Sequence, residues 1–167
     1  MLFRTLISVG FLFFICSGSA LAGGVTSITI VDFGIYSGKV APANTSDVSD
    51  QPKKELLYAT LKRRTDGIPA KLKTEFGVEY VALGEDSSDV GTRATIDLKI
   101  THPPIKDPET GEVSSGGSWN KKIILGDRTY SGYGLDTPWE LVPGIWTLEI
   151  SYKGKLMATQ RFILHRP

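Results

Sequence analysis

From Ser27 to the C-terminus the apolar side chains recur at every second position, the period of a pleated strand with one face turned inward and the other outward. Ile28, Ile30 and Asp32 alternate with Thr29, Val31 and Phe33, so this first run is apolar on most of both faces, and Leu57, Ala59 and Leu61 alternate with Tyr58, Thr60 and Lys62. Leu72, Thr74, Phe76, Val78, Tyr80 and Ala82 form one long side opposite Lys71, Lys73, Glu75 and Glu79. Ile96, Leu98 and Ile100 stand against Thr95, Asp97, Lys99 and Thr101, and Trp119, Ile123 and Leu125 mark a further strand. Helical periodicity has its best candidate in Asp50 to Lys62, where Asp50 would cap a turn begun by Pro52, but Leu56, Tyr58 and Thr60 suit a strand better. About seven strands with Gly- and Pro-rich connections predict an all-β fold, an antiparallel immunoglobulin-like β-sandwich, with a small closed β-barrel as the alternative.

The last two strands carry the clearest pattern. Trp146, Leu148, Ile150 and Tyr152 share one side, and Leu156, Ala158, Phe162 and Leu164 share another, with Lys153-Gly154-Lys155 as the hairpin turn between them. A two-residue loop pairs Tyr152 with Lys155 and, without correction, sets Trp146 on the face of Arg161. A slip of one residue exchanges the faces of a strand. The hairpin is therefore expected to have a three-residue loop or a compensating bulge that brings Trp146 opposite Phe162. Trp146 is expected in the core.

Two connections are long. His102 to Ser118 holds three prolines and three glycines, and is expected to be an exposed, partly polyproline-like loop. Gly126 to Pro143 carries Tyr130, Tyr133, Leu135, Trp139 and Leu141, enough apolar material to pack. Ala41 to Gln51 is polar.

Residues 1–22 begin with Arg4, continue as an apolar run from Leu6 to Cys16 and end in Ala20-Leu21-Ala22, the three parts of a cleaved secretory signal peptide. The apolar run is shorter than the roughly 20 residues of a membrane span. Cys16 lacks the small preceding residues of a lipidation site, since Phe13-Phe14-Ile15 come before it. Residues 23–167 are then one domain, periplasmic or extracellular, without stable membrane insertion once the leader is gone. The one cysteine of the chain leaves with the leader, so the domain holds no disulfide and no cysteine-based zinc site. Nineteen basic against 18 acidic side chains give no overall pull toward nucleic acid.

Chemistry-bearing residues are sparse. The two histidines, His102 and His165, have no G-x-S-x-G elbow and no cysteine nucleophile to serve. Glu85, Asp86 and Asp89 cluster on a turn without the regular spacing of a calcium loop. The Asn44-Thr45-Ser46 sequon matters only in a pathway that glycosylates. Lys53-Lys54 and Lys62-Arg63-Arg64 lack the interleaved aromatics of a nucleic-acid groove. No catalytic, metal or cofactor site is expected. Tyr130, Tyr133 and Trp139 are the candidate partner surface, because exposed aromatics supply contact area at low entropic cost; the competing reading has them plugging the open end of the sandwich.

Ile100 to Pro104, Thr137 to Ile150 and Gly154 to Phe162 together resemble an uncharacterised bacterial family of small exported proteins, a domain of unknown function. The Pro143-Gly144-x-Trp146-x-Leu148 strand, followed by a hairpin ending in Phe162, is similar to the closing hairpin of bacterial immunoglobulin-like domains. The resemblance covers about 65 residues and implies architecture, not a reaction. The function expected from the whole chain is non-enzymatic: a binding or accessory module of the cell envelope acting through loops at one end of the sandwich, on an envelope protein or glycan. The alternatives are a carbohydrate-binding module using Tyr130, Tyr133 and Trp139, and an inhibitor or chaperone presenting residues 102–118 or a strand edge to a peptide.

Overall fold

Alternation becomes nine strands in the computed structural model, which describes residues 24–40 and 56–167. They are β1 (Ser27–Val40), β2 (Leu56–Arg64), β3 (Gly67–Pro69), β4 (Glu75–Leu83), β5 (Arg93–Lys106), β6 (Val113–Ile124), β7 (Arg128–Gly134), β8 (Gly144–Tyr152) and β9 (Lys155–His165). One sheet has the order β2-β1-β4-β7 and the other β3-β9-β8-β5-β6. The two sheets stay separate, so the architecture is a sandwich and not a closed barrel. Among the described residues the helical turns are two short 3-10 segments, Ser87–Asp89 and Pro138–Glu140. Residues 1–22, read above as a signal peptide, the polar stretch 41–51 with its sequon, and Lys53-Lys54 lie outside the described residues.

The inner faces follow the alternation. Phe76, Val78, Tyr80 and Ala82 of β4 face Ile96, Leu98 and Ile100 of β5, Trp146, Leu148 and Ile150 of β8, and Phe162 and Leu164 of β9 in one core. The β8–β9 turn is the two-residue form, with Lys153 and Gly154 both at positive φ, the conformation that suits the right-handed twist of a hairpin. A bulge corrects its register: Ile150 pairs with Ala158 but Ser151 with Leu156, so Met157 is the extra residue and Trp146 lies opposite Phe162. The expected compensation takes the form of the bulge.

Four details differ from the sequence expectation. Strand β3 forms where the chain leaves the edge of the first sheet after Arg64 and joins the second, pairing parallel with β9 and burying Ile68 against Leu164. Three residues are too few to show a period. Strand β7 lies within the stretch read as a long connection, because its inward positions are Thr129, Ser131 and Tyr133; the buried Ser131 hydroxyl is satisfied by the Tyr80 hydroxyl at 3.1 Å. Strand β4 begins at Glu75, since Lys73 has a φ of 67° that no extended strand accepts, and Leu72 is left exposed. The stretch 102–118 is mostly a hairpin arm rather than a loop. Residues 102–104 bulge opposite Ser115, the place in a ladder where prolines without N–H groups are tolerated, and Ile105 re-enters the core.

Trp146 has no exposed surface. Its replacement by alanine is expected to lower the unfolding free energy by about 3–5 kcal/mol. Chemical denaturation followed by circular dichroism measures this; a variant with an unchanged midpoint would contradict the placement.

Candidate functional site

At one end of the sandwich the arm and the turn after β7 converge on Trp146. The His102 ring, at the base of the arm, lies 4.6 Å from the indole centroid and is inclined by 32°. Tyr133 packs at 5.2 Å and Phe76 edge-on at 5.7 Å, with Phe162 edge-on to Phe76 behind them. The indole N–H donates to the Val142 carbonyl at 3.3 Å. Pro103 occupies the space that a side chain at Gly144 would need, and Gly144 adopts a φ of 141°. The arm is thereby seated on the first residue of β8.

The turn is held by Glu140. Its Oε1 accepts from the Tyr133 hydroxyl at 2.8 Å, and its Oε2 accepts from the backbone N–H groups of Asp136 at 2.8 Å and Thr137 at 2.7 Å. Burial, reinforced by the hydrogen bond to Glu140 and its charge, pushes the Tyr133 phenol well up, so it stays a donor. Trp139 sits half-buried in this turn and packs on the core with Leu141 and Val142.

Tyr130 is elsewhere. Three residues apart on a strand, Tyr130 and Tyr133 point to opposite faces. Tyr133 faces the core while Tyr130 lies on the outer face of the first sheet, so the structure brings Tyr133 and the Trp139 turn together and leaves Tyr130 apart. That outer face has a bare row, because Gly34, Gly77 and Gly132 are cross-strand neighbours on β1, β4 and β7. Tyr36 and Tyr130 flank the row from either side and lie into it, ring centroids 4.6 Å apart at 53°. Tyr36 retains only 3% of its surface. The Tyr130 hydroxyl presses on Gly77 and Gly132 and is enclosed without a hydrogen-bond partner. Burial pushes both phenols up, helped by Glu79 and Asp32 for Tyr36 and by Glu75 and Glu79 for Tyr130. Sequence reasoning missed this pair; the signal available was a glycine inside each of two strands otherwise fit to pack, at Gly34 and Gly77.

The remaining candidates are dispersed. The Nδ1 of His102 lies 2.8 Å from the Pro103 carbonyl, and His165 is exposed on β9. The Asp89 carboxylate accepts from the Asp86 N–H at 3.1 Å, which closes the acidic turn on itself. Arg64 pairs with Asp32 at 3.2 Å. Among the described residues no group of three His, Cys, Asp or Glu side chains converges to hold a metal. What this end offers chemically is shape: a rigid indole, a clamped turn and an arm.

Residues 25–164 match the family described as Domain of unknown function (DUF3859), and the chain belongs to that family. A solved immunoglobulin-like protein from Pseudomonas aeruginosa is similar to it, with 20% identity, a TM-score of 0.58, and coverage of 86% of this chain and 100% of that one. At that identity the likeness shows the fold, immunoglobulin-like. A β-D-glucoside glucohydrolase from Trichoderma reesei aligns with 83% of this chain and 19% of its own at 14% identity and a TM-score of 0.34, too low to carry an argument. No curated protein matches the chain.

Two outcomes follow from the tyrosines. A Cβ at Gly77 would meet the Ser131 carbonyl and the Tyr130 hydroxyl, so Gly77→Ala is expected to destabilise by about 1–3 kcal/mol in thermal or denaturant unfolding. In an alkaline titration followed by phenolate absorbance, Tyr36, Tyr130 and Tyr133 should keep their protons beyond the ordinary value of 10.0. A phenol held up in the folded state contributes its full stability below pH 10 or so. That stability falls as the pH rises above this value, because the unfolded chain then releases protons the native one retains. Ionisation of the three should therefore coincide with loss of the native dichroism; ordinary titration of all of them in a still-folded protein would refute the packing.

Proposed function

We propose that this DUF3859 protein is a non-enzymatic binding or accessory module of the bacterial cell envelope, and that it engages an envelope protein or glycan through the end of the sandwich built on Trp146. The observation that carries the reading is the anchoring of that end. His102, Pro103 and Ile105 fix the arm, and Glu140 fixes the turn, while Pro138 and Pro143 remain exposed beside half-buried Trp139. Irregular segments positioned by a rigid scaffold are where binding surfaces are usually found. The non-enzymatic part is supported by the state of the polar groups there. Glu140 is committed to holding the turn, accepting three hydrogen bonds, from the Tyr133 hydroxyl and from the N–H groups of Asp136 and Thr137.

Export rests on the sequence of residues 1–22, with Arg4, the apolar run and the Ala20-Leu21-Ala22 ending. No helix among the described residues is long and apolar enough to cross a membrane.

A photo-crosslinking residue introduced at Pro138 or Pro143 in producing cells tests the surface. Adducts heavier than the chain by a mass other than its own are expected at both positions and absent at Thr95, exposed on the outer face of β5. Equal labelling at Thr95, or none at the turn, would remove this end as the binding surface.

A further inference from the structure

The outer face of the first sheet holds a contact on which the proposed binding surface does not draw. Tyr36 on β1 and Tyr130 on β7 belong to strands that are not neighbours, since β4 runs between them. Their rings meet over β4, centroids 4.6 Å apart at 53°, because Gly77 leaves the space above that strand empty. At this spacing and tilt the ring carbons of the two phenols are in van der Waals contact. Among the described residues neither ring has another aromatic neighbour.

The pair is enclosed without being sealed. Tyr36 is almost wholly buried, and the Tyr130 hydroxyl is covered while part of its ring still meets solvent. Neither ring can stack on a second molecule, yet an electron can leave Tyr130 for an oxidant at the surface. Carboxylates stand beside both phenols: Glu75 is the cross-strand neighbour of Tyr36, and Glu79 that of Tyr130. A phenol that has lost an electron is a strong acid, and adjacent carboxylates receive its proton. The one thiol of the chain is Cys16, so residues 24–167 hold no cysteine to reduce a radical formed there.

We propose that Tyr36 and Tyr130 are an oxidative modification site, at which a one-electron oxidant derived from hydrogen peroxide joins them into an intramolecular dityrosine. Each phenol gives up one electron and its hydroxyl proton. The two phenoxyl radicals couple through ring carbons ortho to their oxygens, forming one C–C bond. The hydrogen on each coupled carbon then moves to its own phenolic oxygen, which restores both rings. The two electrons and two protons reduce one hydrogen peroxide to two waters. The product ties β1 to β7 across β4 and supplies a covalent staple that these residues otherwise lack.

Hydrogen peroxide with a small ferric haem peptide, applied to the dilute folded protein, tests the proposal. The expected product is a monomer lighter by two hydrogen atoms, with the blue emission of dityrosine. Its digest should contain one linked pair of peptides, carrying Tyr36 and Tyr130. Its melting temperature should rise by roughly 10 °C, because a cross-link closing so long a stretch of chain constrains the unfolded state. Tyr36→Phe and Tyr130→Phe should each abolish the emission while keeping the parent's dichroism, and Tyr152→Phe should leave it unchanged. In concentrated urea the same treatment should scatter links among all the tyrosines. A folded parent that gives no linked pair, or a pair joining other tyrosines, would overturn the proposal, as would undiminished emission from Tyr36→Phe. The linked pair is read in the parent itself, so the test does not rest on the folding of any variant, and none of these substitutions touches the end built on Trp146.

Discussion

Burial of one indole between the two sheets is the constraint from which the rest of the organisation follows. Trp146 touches an aromatic ring from β4, from β7 and from the base of the arm, faces Phe162 across the β8–β9 ladder, and donates its N–H to the turn that precedes its own strand. The one cysteine of the chain is Cys16, so residues 24–167 have no disulfide staple; cohesion between sheets must come from area removed from water, and a large ring contributes more of it than any aliphatic side chain. The same ring that joins the sheets also positions the segments at their end.

What the sequence made legible was governed by periodicity. The β8–β9 hairpin shows why: apolar residues lie on every inner position except Gln160, so only one register keeps Trp146 inside, and the conflict with a two-residue turn forced a bulge that the structure supplies at Met157. Where the inner face is not apolar the signal vanishes. Strand β7 buries a serine, made acceptable by the Tyr80 hydroxyl more than fifty residues earlier in the chain, and nothing local announces that bond. The arm was hidden by its prolines, which normally argue against a strand and here occupy a bulge. The candidate surface was legible in part. Tyr133 and Trp139 belong to one end, but Tyr130 could be assigned its opposite face only after β7 was recognised as a strand, since parity has no meaning in a loop.

One open side of the sandwich, between β6 and β7, is bridged by a polar side chain. Lys121 faces inward from β6 and donates to the Tyr130 carbonyl on β7 at 2.7 Å, bridging the edges of the two sheets. The Ser114 hydroxyl accepts the Gly116 N–H at 3.3 Å and donates to its carbonyl at 3.0 Å, engaging backbone groups of β6 within the arm. Inward charges and self-satisfied edges of this kind discourage strand addition, which favours the ends and the outer faces over the edges as places of contact.

The bare glycine row has a kinetic consequence. Tyr36 and Tyr130 come from β1 and β7 and can nest against each other only after β4 has been laid between those strands. Closing so long a stretch of chain is entropically slow, and contacts of this separation form late in sheet assembly. The two rings thus act as a latch on a finished sheet: their mutual enclosure reports completion of the first layer.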